Sequence, residues 1–135
     1  MSTPLSKLIH GQAELRTKLK EHGISNSDQL LAAAKTTAGR KDLSDQLKID
    51  HTHILTLANC ADLARVRGIG GIYSKLLEEA GVDTVKELAA RNSDNLQSNL
   101  QALVVKQPEY KRAPSLDVVR NWVSQAKALP KIIEY

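Results

Sequence analysis

The stretch Asp62-Leu63-Ala64-Arg65-Val66-Arg67-Gly68-Ile69-Gly70-Gly71-Ile72-Tyr73-Ser74-Lys75-Leu76-Leu77 decides how the chain is built. Leu63 and Val66 precede a glycine cluster, and Ile72, Tyr73, Leu76, Leu77 and Ala80 follow it at helical spacing. Glycine takes up positive φ angles without steric cost, so Gly68-Ile69-Gly70-Gly71 predicts a tight turn between two helices. The apolar residue inside the turn, Ile69, is expected to plug the groove between them. The stripe at positions 72–80 reads first as core and second as a face for a partner.

Downstream, Gly81 closes the amphipathic run, as the left-handed position after a helix prefers glycine, and Val82 follows it. Thr84-Val85-Lys86-Glu87 has the form of a capping box that starts the next helix. The same order occurs earlier in the chain. Ile9-His10-Gly11 parallels Val66-Arg67-Gly68; after a one-residue adjustment, Leu15, Leu19, Glu21, Gly23, Ile24 and Leu30 parallel Tyr73, Leu77, Glu79, Gly81, Val82 and Leu88. Each copy is glycine turn, helix, glycine stop, helix. Two pseudo-repeated units are therefore expected, a degenerate one at 5–38, where Gly11-Gln12-Ala13 replaces the glycine cluster, and a better-formed one at 61–91.

Between the copies, Ala38 to Cys60 reads as a short helix, a turn near Ile49-Asp50, and a helix carrying Ile54, Leu57, Ala58 and Ala61. Ser93 is the expected N-cap of a helix over 93–105. Pro108 and Pro114 make the following segment a loop. Ser115 caps a closing helix over 115–129, ended by Pro130. With 135 residues, no Phe, one Trp and a Leu/Ala/Val-rich apolar fraction, the chain is expected to be all-α, a single compact domain (1–135) of about nine short helices.

Net charge is +4, but its distribution matters more than its sum. Residues 1–60 and 92–135 each carry a surplus of two positive charges, whereas 61–91 balances five Lys/Arg against five Asp/Glu. The segment with the strongest motif is electroneutral. The single cysteine, Cys60, excludes an internal disulfide and a CxxC metal or redox site. No run reaches the roughly 18 apolar residues of a membrane span, so a soluble cytoplasmic protein with no membrane association is expected.

The sequence from Asp62 to Leu77 resembles the helix-hairpin-helix signature, in which a first helix stops at a Gly-hydrophobic-Gly turn and a second starts directly after it. In DNA-binding members the exposed amides of the second helix hold a backbone phosphate without base specificity. The resemblance implies contacts from Gly68, Ile69, Gly70 and Gly71 and from the basic residues Arg65, Arg67 and Lys75. Two residues after Gly70, where such members often carry Lys or Arg, this chain has Ile72. Nearly the full chain is also similar to a bacterial domain family of unknown function with paired helix-hairpin-helix-like units (a SAM or helix-hairpin-helix-like fold). That likeness rests on the Asp62-Leu63 lead-in, the glycine turn, the run from Ala80 to Ala89 and the closing Trp122 to Pro130.

Arg40-Lys41 and Lys111-Arg112 form a secondary basic patch, with Tyr110 placed to stack on a base. Asp83 superficially matches the catalytic aspartate of helix-hairpin-helix glycosylases, but the chain is too small for a base-flipping pocket, and Asp83 reads as support for a helix start. His10, His22, His51, His53 and Cys60 lack any metal-site spacing. The expectation is a non-enzymatic module with no catalytic residue, metal or cofactor. Its partner is the DNA phosphate backbone or, alternatively, a protein bound through the apolar surface of a degenerate hairpin.

Overall fold

The computed structural model describes residues 3–9 and 12–135, and among these the chain is all-helical. Nine α-helices follow in order: α1 (Leu5–Leu8), α2 (Ala13–Glu21), α3 (Ser27–Ala34), α4 (Thr37–Leu47), α5 (His51–Leu63), α6 (Gly71–Glu79), α7 (Val85–Ala89), α8 (Ser93–Lys106) and α9 (Leu116–Ala128). The proline-bearing segment after α8 is not wholly irregular, because Pro108–Tyr110 forms one 3-10 turn with Pro at its start. No strand is present among the described residues, where Pro4 and Asn26 form an isolated bridge.

The two glycine stops are built from the same bonds. After α2, Gly23 has φ +84°, the Gly23 amide donates to Lys20 O at 3.0 Å and the Ile24 amide to Leu19 O at 2.9 Å. After α6, Gly81 has φ +87°, with Gly81 bonded to Glu78 O at 3.0 Å and Val82 to Leu77 O at 2.8 Å. Both are Schellman stops, which satisfy carbonyls left over at a helix end. Ile24 and Val82 then enter the interior, at 4% and 0% exposure.

The starts that follow also match. Asn26 Oδ1 accepts the Gln29 amide at 2.9 Å, and Gln29 Oε1 accepts the Ser25 amide at 2.7 Å. After Gly81, Thr84 Oγ1 accepts the Glu87 amide and Glu87 Oε2 accepts the Asp83 amide, both at 3.3 Å. The expected capping box is thus displaced by one residue on its return bond, which lands on Asp83 rather than Thr84. Asp83 supports the helix start through its backbone. One expected cap moves: the N-cap of α8 is Asn92, whose side chain accepts the Asn95 amide at 3.0 Å, and Ser93 is the first helical residue. Ser115 caps α9 as expected, accepting the Val118 amide at 3.3 Å. His10 and Gly11, the proposed counterparts of Arg67 and Gly68, lie outside the described residues.

The interior is divided into two clusters. One gathers Leu5, Leu8, Leu19, Leu30, Leu43, Ile54 and Ala58; the other gathers Ile69, Leu76, Leu77, Leu88, Leu100 and Trp122. Their common wall is the end of α5, where Ala64 belongs to the first and its neighbour Leu63 to the second. The chain after α9 crosses back, inserting Ile133 into the first cluster.

At that wall sits Asp62, only 3% exposed. Its Oδ1 pairs with the Arg65 guanidinium at 2.9 Å, and its Oδ2 accepts the Val85 amide at 2.8 Å. Arg65 also donates to Pro130 O at 2.7 Å. One carboxylate and its partner therefore fasten the end of α5 to the start of α7 and to the exit of α9. Removing one member of a buried pair strands the other without compensation. Asp62→Ala is expected to cost about 3 kcal/mol, measured as a lowered midpoint in chemical denaturation. A loss under about 1 kcal/mol would show that the pair is not a structural fastener.

Candidate glycine-turn site

α5 unwinds through the amides of Ala64, Arg65 and Val66, which donate to Cys60 O, Asp62 O and Leu63 O at 3.0–3.1 Å. Gly68 then turns the backbone with φ +100°, and α6 begins with Gly70 as its N-cap. Ile69 is 3% exposed and packs with the second core cluster, as expected of a plug.

The glycines have different physical reasons. A Cβ on Gly68 would stand 2.9 Å from Trp122 Nε1, in addition to the strain of its positive φ. Around Gly70 there is nothing within 4 Å of such a Cβ. Gly71 is a contact glycine: a Cβ there would run into the carbonyl oxygens of Lys7 and Leu8 at the end of α1. This close approach carries no phosphate requirement, and sequence reasoning could not find it because α1 lies far away along the chain.

The turn is braced from α9. Gln125 Oε1 accepts the Arg67 amide at 2.8 Å, and Gln125 Nε2 donates to Arg67 O at 3.2 Å and to Asn121 Oδ1 at 2.6 Å. The rings of Tyr73 and Trp122 meet edge to face, centroids 5.3 Å apart. The apolar stripe of α6 consequently divides. Leu76 and Leu77 are buried and Tyr73 is half-buried, while Ile72 is 51% exposed.

The basic residues divide too. Arg67 and Lys75 are exposed beside the turn, but Arg65 is held by Asp62 and Pro130 and is not free to meet a ligand. Arg40 leaves the proposed secondary patch: it is 2% exposed, donating to Ala34 O at 3.0 Å, Thr37 Oγ1 at 3.2 Å and Glu134 O at 2.6 Å. Its neighbour Lys41 is exposed, as are Lys111 and Arg112 on the loop after α8. Tyr110 does not offer a stacking face, since it is 8% exposed and its hydroxyl donates to Glu79 Oε2 at 2.8 Å.

Next to the turn, Leu8, Ile9, Leu57 and Ile72 line a groove of about 490 Å³ that also meets Lys75, Glu78 and Glu109. Cys60 lies in its wall, its Sγ 2.8 Å from Ser74 Oγ. Burial pushes the thiol up from its ordinary range and Glu78 adds to this, against a lowering by the Ser74 contact. Among the described residues, no three His, Cys, Asp or Glu side chains converge as a metal site would require, and no helix is long and apolar enough to cross a membrane.

Sequence reasoning missed what Asp62 and Gln125 do. The Asp62–Arg65 spacing was a usable signal, since residues three apart on a helix are neighbours; for Gln125 there was none.

The family model described as a domain of unknown function (DUF4332) matches residues 10–129. The chain belongs to that family. No curated protein and no solved structure matches it.

Two outcomes follow from the site's geometry. Gly71→Ala should lower stability by about 2 kcal/mol or more, because a backbone carbonyl has nowhere to retreat. Gly70→Ala should cost under about 1 kcal/mol, and equal losses in denaturation would refute the division of roles. Cys60 should react with a disulfide reagent at pH 8 roughly tenfold more slowly in the folded chain than in denaturant; equal rates would contradict its enclosure.

Proposed function

We propose that this member of the domain-of-unknown-function family is a non-enzymatic module with two helix-hairpin-helix-like units, binding duplex DNA through its phosphate backbone without reading sequence. The reading is carried by one observation. Of the seven helices of eight or more residues, α3, α4, α5, α8 and α9 each have a side chain bonded to an early amide, from Asn26, Thr36, Asp50, Asn92 and Ser115, whereas α6 has none. The other long helix without such a cap is α2, the counterpart of α6 in the repeat. Uncapped amides at a helix start favour an anion, through both their hydrogens and the helix dipole.

Arg67 and Lys75 stand beside the start of α6 and supply the counter-charge in this reading. The matched stops at Gly23 and Gly81, and the matched starts after them, support two equivalent units. Such units suit a duplex because each can address one backbone.

The test is fluorescence anisotropy with a labelled duplex of arbitrary sequence at two salt concentrations. Binding should weaken linearly in log affinity against log salt. Arg67→Glu with Lys75→Glu should flatten that slope by roughly two units and lower affinity for every sequence alike. Absence of binding at low salt would overturn the proposal.

A second reading is favoured by Ile72, whose exposure at the rim of an apolar groove suits a protein partner. The variant Ile72→Lys separates the two. It should raise DNA affinity under the first reading, and under the second it should abolish association with a partner or a second copy without gaining DNA.

A further inference from the structure

A second concavity lies between α7, α9 and the chain that follows α9. It measures about 630 Å³, within the ~300–1,000 Å³ typical of small-molecule sites, and shares no lining residue with the groove beside Ile72. Its walls are mostly apolar, including Ala89, Ala90, Leu129 and Ile132. Tyr135 adds a ring to the wall while its hydroxyl donates to Asn59 Oδ1 at 3.0 Å.

Three lysines border this cleft: Lys86 on α7, Lys127 in the last turn of α9, and Lys131 beyond it, all exposed. Two carboxylates face it as well. Asp62 is neutralised by Arg65 and spends its second oxygen on the Val85 amide. Glu87 is exposed and accepts the Asp83 amide at 3.3 Å. Asp83, outside the lining, stands near enough to act on Tyr135 as Glu87 does, so three ammonium groups confront two carboxylates besides the paired Asp62, and the excess is positive by one. Apolar walls alone would take any hydrophobe, and lysines alone any anion; the two together select a molecule that is both.

We propose that this cleft binds a free amphiphile of fatty-acid type, an unbranched acyl chain lying against Ala89, Ala90, Leu129 and Ile132 with a terminal carboxylate among Lys86, Lys127 and Lys131. The chain displaces water from the apolar wall, and the carboxylate gains hydrogen-bonded ammonium groups at the solvent edge. The hairpin turn takes no part.

The experiment is isothermal titration calorimetry of the full chain with dodecanoate below its micelle-forming concentration, alongside dodecyltrimethylammonium, which has the same tail and the opposite charge. Dodecanoate should bind saturably at one site, and roughly tenfold more tightly than the cationic probe. Lys127→Glu with Lys131→Glu, both surface changes that leave the helical circular dichroism intact, should weaken dodecanoate roughly tenfold. Ala90→Trp, an exposed position whose new side chain fills the cleft, should abolish binding. No saturable dodecanoate binding, equal affinity for the two probes, or binding indifferent to Ala90→Trp would each overturn the proposal.

Discussion

The buried carboxylate of Asp62 is the constraint on which the arrangement depends. A charge that is 3% exposed persists in a protein interior only when its oxygens are satisfied. Asp62 meets that demand from two directions, a guanidinium one helical turn away and a backbone amide at the start of α7. Because Arg65 in turn reaches Pro130, the exit of α9 is drawn to the same point. The two core clusters share their boundary here, so the polar fastener stands where hydrophobic packing alone would leave the halves free to slide. Hydrophobic contact is non-directional; a hydrogen-bonded carboxylate fixes register.

The local grammar of the chain was readable because it depends on near neighbours. Gly23 and Gly81 announced left-handed stops, Thr84 and Ser115 announced helix starts, and Ile69 announced a plug. The stops at Gly23 and Gly81 match down to individual hydrogen bonds. Legibility ended where contacts join distant positions. Ile72 sat on an apolar stripe yet faces outward, because α6 commits Leu76 and Leu77 to the second core and Tyr73 to the edge of Trp122. Arg65 and Arg40 looked like surface cations and are internal donors, since a long side chain with five N–H groups can satisfy carbonyls that its sequence neighbours do not reveal. Tyr110, beside two basic residues, turned to Glu79 on another helix.

The glycine turn consequently combines several constraints in four residues. Gly68 answers to backbone geometry and to Trp122, Gly71 to the carbonyl end of α1, and Gly70 to neither. A run of glycines that looks like one motif is a superposition of separate demands. Packing thus accounts for Gly68 and Gly71 but does not require Gly70, nor the exposed side chains of Arg67 and Lys75.

Arg40 gives the fold a property that its charge would not suggest. Its guanidinium is held by the carbonyls of Ala34 and Glu134 and by the Thr37 hydroxyl, while Tyr135 lies under it at 6.0 Å. Neutral oxygens and a ring face hold this cation in place of a carboxylate. Mobile ions have little grip on such an attachment, because it contains no pair of opposite charges to screen. The clasp that returns the end of the chain to the first core is thus indifferent to the ionic surroundings that govern contacts at the exposed lysines.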